Sequence, residues 1–466
     1  MGKYVVWGCG KFYKRYKKFL EIPGLDIAYI VDSDSSKWDT VMDGYLIKSP
    51  EVVLQNNMDV IIAVKSCQEI KNVLFNMGFR GNAYPIWEFP DMYIEKNRNE
   101  IKKILGYQGR SSHKRRTAIF DIIGGLGWAG TEMWAYKAAK IAKSSNIDTV
   151  CYIGNKQMIP NDENELTTEI FDLDSSYCSM FLKSIAAKLP VSYFCNFWGI
   201  SQEYAFLAKL IFQDDFSFMQ VFHSDMAYLY DELEQYSKYM DMVWCVSKLI
   251  AEKAKKRVDH RKSDIEYHIM SYSFVDTDRN YSMEGPIKIG LASRLVKEQK
   301  RMDLLPDFIS ALIEKKIDFE INIAGVGELS EVLNTYVNTN GLQDRVHLLG
   351  LVPADGMPAF WKQQDVFMSL SSYEGTSLSM LEAMSNGCIP VVTDVSGVSD
   401  VITDHYNGII SPVDNFSALI DGIKEIQTDR QKLWVWGKRC VDIIAEKCDV
   451  KEFARYLVDV IDRGEN

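Results

Sequence analysis

Short apolar runs that alternate with helical segments are the feature that most constrains how this chain can fold. After residue 286 these runs are IKIGLA, FEINIA, VHLLG, DVFMSL, CIPVVT and GIISPV, and segments with helical periodicity separate them. Strands that alternate with helices form parallel sheets with helices on both faces. The pattern therefore predicts an α/β fold with ligands beyond the carboxyl ends of the strands.

The same alternation occurs twice before residue 277, so the chain contains more than one α/β unit. Its 466 residues are enough for about three domains. We expect a small Rossmann-like accessory domain in 1–106, a basic linker in 107–116 and a second α/β domain in 117–276. A third α/β domain should occupy 277–440, and an amphipathic helix should end the chain in 441–466.

Composition narrows the classes of protein to which the chain can belong. A net charge of −11 argues against a general nucleic-acid binder. Nine scattered cysteines without a C-x-x-C pair are typical of reduced thiols in the cytosol. There is no run of 18 apolar residues, and MGKYVVWGCG enters a strand without the features of a signal peptide. We therefore expect a cytoplasmic protein.

Two carboxylates eight residues apart, Glu374 and Glu382, lie in the segment EGTSLSMLE. The flanks DVFMSLSSY and SLSMLEAM predict a strand, a tight turn and a helix. Gly375 would let a ligand approach the backbone of that turn, and the following amides can face an anion. These amides belong to Thr376, Ser377 and Leu378. The arrangement favours a nucleotide-linked ligand, although a favourable helix dipole and solvation explain the two acids equally simply.

Two cations follow the first strand of the same domain, in ASRLVKEQK. Arg294 lies at the carboxyl end of that strand, and Lys300 follows six residues later. Both side chains could simply be solvated loop charges. At the sheet edge that carries Glu374, however, they could neutralise a diphosphate and stabilise it as a leaving group.

The two motifs together resemble a known family of enzymes. SRLVKEQK followed by EGTSLSMLEAMSNGCIPVV resembles the donor half of the retaining glycosyltransferases of family 4, in the GT-B fold class. GGLGWAGTE resembles the glycine-rich loop of that family, and VFHSD resembles its histidine segment. The resemblance covers about 117–440. It implies two Rossmann-like domains facing across a cleft, with 1–106 as an additional small Rossmann-like domain.

The resemblance also implies roles for individual residues. Arg294 and Lys300 would hold the donor diphosphate. Glu374 would bind hydroxyls of the sugar, and Glu382 would bind the ribose. His223 would contact the transferred sugar, although a histidine at a strand end is often only structural.

Glycines and their neighbours complete the implied site. Gly325 and Gly327, in IAGVGEL, would lie near the base. Gly127 and Trp128, in GGLGWAG, would lie near the phosphates and the acceptor, although glycines before a helix often serve only chain reversal.

The implied activity is that of a retaining hexosyltransferase in polysaccharide biosynthesis that needs neither a cofactor nor a metal ion. It would move a sugar from a nucleotide diphosphate sugar, with UDP favoured, to a hydroxyl of a glycan, lipid-linked or protein acceptor. A noncatalytic subunit that binds substrate or stabilises a catalytic partner is the alternative. A nucleotide-sugar epimerase accounts less well for the paired glutamates.

The chain departs from the family pattern at three places. MSYSFVD replaces the Asn-Gly turn of many members, and SGVSDVI replaces a glycine pair followed by glutamate, so that Asp400 stands in for that acid. The hydroxyls of Thr376 and Ser377 lie where some members have an aromatic residue. These differences affect the choice of donor and acceptor more than the fold.

The N-terminal domain begins like a dinucleotide-binding loop. Gly8 and Gly10 follow the first strand, and Asp32 ends the second strand 22 residues after Gly10. Tyr13 occupies the position of the third glycine, so a module for assembly, with a partner subunit or a second copy, or for acceptor docking is favoured over a dinucleotide site. The basic aromatic segment KFYKRYKKFL leaves peripheral membrane contact open, although a packed helix with solvated lysines is the simpler explanation.

Overall fold

The structure is a computed structural model that describes residues 2–56, 58–109, 116–123, 130–154, 166–171, 177–258, 263–272, 279, 281 and 283–463. The chain divides into two compact units. Unit 1 comprises Met1–Met219, Tyr239–Asp241 and Val460–Asn466. Unit 2 comprises Gln220–Lys238 and Met242–Asp459. The five-part division expected from the sequence stays a prediction.

The first sheet of unit 1 has six strands in the order β3-β4-β2-β1-β5-β6. β3 is antiparallel to β4, and the other neighbours are parallel. The strands are β1 Lys3–Trp7, β2 Asp26–Val31, β3 Val41–Met42, β4 Tyr45–Lys48, β5 Asp59–Ile62 and β6 Ala83–Pro85. The helices are α1 Lys11–Tyr16, α2 Val53–Asn56, α3 Cys67–Asn76 and α4 Phe89–Ile104.

The second sheet of unit 1 is built mainly from buried β-branched and aromatic residues, although the strand at its edge, Thr167–Ile170, is partly exposed. Its order is β11-β10-β7-β8-β9, and the last four strands pair in parallel. The strands are β7 Thr117–Ile122, β8 Thr149–Ile153, β9 Thr167–Ile170, β10 Val191–Cys195 and β11 Phe216–Phe222, of which the last three residues belong to unit 2. The helices are α5 Gly130–Ser144, α6 Tyr177–Lys188 and α7 Ile200–Phe212.

Within unit 1, helix α7 lies between the first sheet with its helices and the second sheet. Its side chains are buried around most of its circumference, which is typical of a helix that is covered on both sides. The Tyr204 hydroxyl donates to the Glu21 carboxylate at 2.6 Å, and the Arg98 guanidinium donates to the Leu210 carbonyl at 3.1 Å. The N-terminal region is therefore a packed part of unit 1.

The basic segment around α1 is only partly available to solvent. Lys17 pairs with Asp43 at 2.9 Å, and Lys18 pairs with Glu203 at 3.4 Å. Membrane contact through this segment stays a prediction. In the described part of the chain, no helix combines the length and the apolar character needed to cross a bilayer.

Unit 2 begins with the end of β11, beside which lie β12 and then β13. Its larger sheet has the order β16-β15-β14-β17-β18-β19, and all five pairings are parallel. The strands are β12 Met242–Cys245, β13 Asp264–Tyr267, β14 Ile287–Ala292, β15 Phe319–Ala324, β16 Val346–Gly350, β17 Val366–Ser369, β18 Ile389–Thr393 and β19 Ile409–Ser411. This order confirms the α/β fold with parallel sheets that the alternating pattern predicts.

Helices cover both faces of this larger sheet and bury two apolar clusters. Their apolar stripes recur at helical spacing, as expected for elements that pack one face on a sheet. The helices of unit 2 are α8 Ala227–Tyr236, α9 Lys248–Arg257, α10 Leu305–Glu314, α11 Ser330–Thr339, α12 Met357–Lys362, α13 Leu378–Ser385, α14 Val398–Val401, α15 Ser417–Thr428, α16 Gln431–Lys447 and α17 Val450–Asp462, of which the last three residues belong to unit 1. Since β14 and β17 are adjacent and parallel, the segments that follow them meet at one sheet edge.

Candidate functional site

Lys300 and Glu374 meet at the carboxyl ends of β14 and β17. The Lys300 ammonium donates to Oε1 of Glu374, and the two side chains are only 16% and 10% exposed. The buried Ser371 hydroxyl donates to the same oxygen at 2.7 Å. Hydrogen bonds and an opposite charge compensate the burial of this carboxylate. The two residues that the sequence singled out separately thus form one ion pair.

Arg294 reaches the same group through Gln299. Its Nη2 donates to Oε1 of Gln299 at 2.8 Å, and Nε2 of Gln299 donates to Oε2 of Glu374 at 3.3 Å. The guanidinium itself is exposed. Both cations expected to bind a diphosphate therefore lie next to Glu374, one directly and one through an amide.

The turn after Glu374 leads directly into α13. The Ser377 hydroxyl caps this helix by accepting from the Met380 amide at 3.3 Å. The Thr376 hydroxyl donates to the Val246 carbonyl at 2.6 Å, so it is engaged with the backbone. Leu378 is the first residue of the helix, so its amide lies in the first turn, whereas the other two amides expected to face an anion, those of Thr376 and Ser377, lie just before the helix. The strand, turn and helix predicted from the sequence are thus confirmed.

Glu382 lies on α13 and is held by aromatic side chains. Its Oε2 accepts from the indole Nε1 of the fully buried Trp361 at 3.2 Å. The Tyr272 hydroxyl is also hydrogen-bonded to this carboxylate, and burial together with the negative charge of Glu382 raises the pKa of Tyr272 well above its usual value. One carboxylate oxygen of Glu382 thus has a fixed orientation.

Gly375 packs directly against the backbone of His223. A Cβ at position 375 would lie 2.1 Å from the His223 carbonyl oxygen and 2.7 Å from Cγ2 of Val246. Next to this contact, the Asp225 amide donates to the Glu374 carbonyl at 3.0 Å. The absence of a side chain at Gly375 is therefore required by the fold of unit 2, whatever a ligand needs.

His223 follows β11 immediately, as the sequence predicts for a residue at a strand end. Burial lowers the pKa of its imidazole to about 3. The ring is therefore neutral at physiological pH, and it can exchange hydrogen bonds with a polar group without adding charge.

Gly325 and Gly327 bring two loops of unit 2 into close contact. A Cβ on Gly325 would lie 1.9 Å from the Ser293 carbonyl oxygen, and φ of Gly325 is +153°. A Cβ on Gly327 would lie 2.4 Å from the Leu295 carbonyl oxygen. Both glycines thus allow this loop to pack on the segment after β14, at Ser293 and Leu295, on either side of Arg294. Their expected place near a base stays a prediction.

Gly127 and Trp128 lie outside the described residues, as does the rest of 124–129. The residues before them form a buried polar group. The Asp121 carboxylate accepts from the Ile123 amide at 2.8 Å. Burial raises the pKa of Asp121 to about 6, although hydrogen bonds, the largest of them from Ser201, act in the opposite direction.

Asp400, which the resemblance puts in the place of a glutamate, is buried in α14. Its Oδ2 accepts from the Lys248 amide at 3.0 Å, and Tyr267 is hydrogen-bonded to the same carboxylate. Burial is the main cause that raises the pKa of Asp400. These contacts cap α9 and give Asp400 a structural role in the fold.

The N-terminal candidate group is occupied by contacts between the loops that follow β1 and β2. Asp32 accepts from the amide and the thiol of Cys9, at 3.0 and 2.9 Å, and from Lys37 at 3.2 Å. Burial alone would raise the pKa of Asp32, but these hydrogen bonds and one from the Asp34 amide lower it. The φ of Gly8 is +101°, and Gly10 precedes the first helix. The carboxylate thus stabilises the turn after β1.

Sequence reasoning missed three residues of this candidate site. Gln299 and Ser371 both donate to Glu374, and Trp361 donates to Glu382. Ser371 lies two residues after the end of β17, and Gln299 directly precedes the candidate cation Lys300, so the sequence did contain a usable signal for these two residues. No local signal pointed to Trp361, which precedes Glu382 by 21 residues.

Comparison with known families gives two matches. Residues 276–440 match the family described as Glycosyl transferases group 1. Residues 1–83 match the family described as C2185-like, N-terminal. The first match contains both candidate motifs of unit 2, and the second contains the Asp32 loop.

Curated relatives match over part of their length. An uncharacterized glycosyltransferase of Methanocaldococcus jannaschii is 28% identical over 186 residues, which are 40% of this chain and 49% of the relative. The lipopolysaccharide core biosynthesis mannosyltransferase LpsB of Rhizobium meliloti is 30% identical over 145 residues, which are 30% of this chain and 41% of the relative. The chain thus spans less than half the length of these relatives.

A solved structure aligns over more of the chain. Anabaena HepE, crystallised in complex with UDP, superposes with a TM-score of 0.62 and 15% sequence identity, covering 75% of this chain and 100% of HepE. This likeness confirms the GT-B fold expected from the sequence. An additional α/β region precedes it at the N terminus.

Proposed function

We propose that this chain is a retaining glycosyltransferase that moves a sugar from a nucleotide diphosphate sugar to a hydroxyl group of an acceptor, without a metal ion. The observation that carries the proposal is the cluster of Arg294, Lys300 and Glu374 at one sheet edge, within the segment that matches Glycosyl transferases group 1. The UDP bound to HepE supports UDP as the first nucleotide to test.

In this proposal the diphosphate lies near Arg294, Lys300 and the first turn of α13. An arginine fork and an ammonium group both suit phosphate oxygens, and a helix N-terminus favours negative charge. These groups would offset the charge that develops on the phosphate as its bond to the sugar breaks. Lys300 would then share its charge between the phosphate and Glu374, or exchange one partner for the other.

The transferred sugar lies between Glu374 and His223 in this proposal. Glu374 accepts hydrogen bonds from sugar hydroxyls, and the neutral His223 adds a polar contact. Glu382 accepts hydrogen bonds from the ribose through its carboxylate, which Trp361 and Tyr272 hold in place. Gly127 and Trp128 approach the phosphates and the acceptor, and Gly325 and Gly327 lie near the base.

The proposed reaction needs no protein base. The bond from the anomeric carbon to the phosphate oxygen breaks, and the acceptor oxygen bonds to that carbon on the same face. The acceptor proton moves to the departing phosphate oxygen, so charge and atoms balance, and the sugar keeps its configuration. The acceptor is a glycan, a lipid-linked sugar or a protein, in keeping with the lipopolysaccharide core named for the relative LpsB.

Binding and transfer are tested separately. Thermal shift and calorimetry with UDP, GDP and ADP, each with and without EDTA, identify the nucleotide. Mass spectrometry then detects transfer from the matching sugar nucleotides to a glycan acceptor, and NMR of the product reports its anomeric configuration. We expect one diphosphate to bind selectively, EDTA to leave turnover unchanged and the configuration to be retained.

Variants link the activity to the site. Lys300→Ala and Glu374→Gln should each lower transfer by about a hundredfold or more, because each removes a charge from a buried site. Lys315→Ala is the matched control, since it breaks an exposed ion pair with Asp421. Near-normal turnover in both site variants would refute the assignment, and binding of a diphosphate without any transfer would instead indicate a noncatalytic subunit.

A further inference from the structure

Gln299 connects the exposed cation of the site to its buried carboxylate. Its side-chain oxygen accepts from Arg294 at 2.8 Å, and its side-chain nitrogen donates to Glu374 at 3.3 Å and to the Tyr373 carbonyl at 3.4 Å. Both ends of one amide are therefore used, and each end meets a group that the proposed function assigns to a different part of the donor.

The orientation of this amide is fixed by chemistry. A guanidinium can only donate, and an ionised carboxylate can only accept. A flipped amide would place its NH₂ group against Arg294 and its oxygen against Glu374, so both contacts would become repulsive. Only a residue with a donor and an acceptor at its tip can join these two partners.

The backbone beneath Gln299 is also fixed. The Ser372 amide donates to the Gln299 carbonyl at 2.9 Å, and the Ser372 hydroxyl donates to the Glu298 carbonyl at 2.7 Å. The loop after β14 is thereby bonded to the segment that carries Glu374. This support places the amide between its two partners with little freedom to move.

Resting on the proposed function, we propose that Gln299 is a positioning residue that holds the Arg294 guanidinium and the Glu374 carboxylate at the spacing that one nucleotide sugar requires. Arg294 serves the diphosphate and Glu374 serves the sugar. Gln299 thus couples the recognition of the two halves of the donor, and it sets the distance between the phosphate and the sugar that the site accepts.

Two substitutions separate the two contacts. Gln299→Glu keeps an acceptor for Arg294 but places a second carboxylate beside Glu374. Gln299→Met keeps the length of the side chain and removes both contacts. Lys297→Ala is the matched control from the same loop, because its side chain is 69% exposed and its ion pair with Asp303 is long at 3.9 Å.

The full-length variants are compared by calorimetry with UDP and by steady-state kinetics with the UDP-sugar that wild type uses. Gln299→Met should weaken UDP binding and lower kcat, each by about tenfold to a hundredfold, as expected for lost hydrogen bonds to charged groups. Gln299→Glu should weaken UDP binding less than Gln299→Met does, because it keeps an acceptor for Arg294. The kcat of Gln299→Glu should fall. The acid limb of its pH profile should also move to higher pH, because two neighbouring negative charges make it easier to protonate one of the two carboxylates.

The outcomes are distinguishable. Wild-type kinetics and pH profiles in both Gln299 variants would overturn the proposal, as would equal losses in the two variants that track a loss of thermal stability. A control variant as impaired as Gln299→Met would also overturn it. If wild type itself binds no UDP and transfers no sugar, the proposed function fails first, and the role of Gln299 fails with it.

Discussion

Replacing Gly375 by alanine tests the contact between the glutamate turn and the strand that ends at His223. The new methyl group would lie 2.1 Å from the His223 carbonyl oxygen, whereas Cβ atoms essentially never come closer than 3.0 Å to a heavy atom. Because the atom it meets belongs to the backbone, no rotamer change relieves the clash. The turn and the strand end must move apart by about 1 Å.

This displacement should affect stability and activity to different extents. Overpacking of this kind costs about 1–3 kcal/mol, which for a unit of this size lowers Tm by several degrees. The hydrogen bond from the Asp225 amide to the Glu374 carbonyl would lengthen, and Glu374 would move with the turn. A misplacement of about 1 Å at a reacting site can lower the rate by about a hundredfold.

The assay combines a thermal melt, UDP calorimetry and kcat/KM for sugar transfer. Gly356→Ala is the control within unit 2, since a Cβ there would lie 3.3 Å from its nearest neighbour, the Pro353 carbonyl oxygen. At this control position the neighbour has to give by only a few tenths of an ångström, so we expect a much smaller loss of Tm than in Gly375→Ala and turnover like that of wild type. Wild-type Tm and activity in Gly375→Ala would refute the close contact and the reasoning built on it.

Three further predictions concern groups away from this turn. Because burial raises the pKa of Asp121 from 3.8 to about 6, ionisation at neutral pH costs the folded state about 3 kcal/mol. The stability of wild type relative to Asp121→Asn should therefore fall between pH 4 and 7 in denaturant unfolding, and a difference that does not vary with pH would contradict this. Tyr204→Phe removes the hydrogen bond to Glu21 and should destabilise the chain by about 1–3 kcal/mol without changing UDP affinity, as checked by thermal melts and calorimetry. Asp32 has a lowered pKa, so its stabilising contribution is present above its unfolded value and is lost as the pH falls through its folded value. Asp32→Asn should therefore have a lower free energy of unfolding than wild type at pH 7, and the difference should shrink in acid. A difference that stays constant with pH would show that the charge of Asp32 does not stabilise the fold through its hydrogen bonds with Cys9 and the neighbouring groups.

Local patterns along the chain were sufficient to predict the architecture and the position of the candidate site. Period-2 and period-3.6 apolar patterns depend on neighbours within a few residues, so they located the strands and helices of the large parallel sheet. The rule that ligands lie beyond the carboxyl ends of parallel strands then placed Arg294, Lys300 and Glu374 at one edge. Those assignments required no knowledge of distant contacts.

The partners of each polar group were decided by the tertiary structure. Lys300 and Glu374 form an ion pair although they are 74 positions apart in the sequence. The role of Gln299 follows from its hydrogen bonds to Arg294 and Glu374, which the sequence does not show. Gly375 was expected to admit a ligand, but the backbone of His223 also occupies the space where a Cβ would lie. The physical reason is that a hydrogen bond or a close backbone contact depends on atoms brought together by packing, whereas sequence spacing describes only the short-range geometry of one strand or one helix.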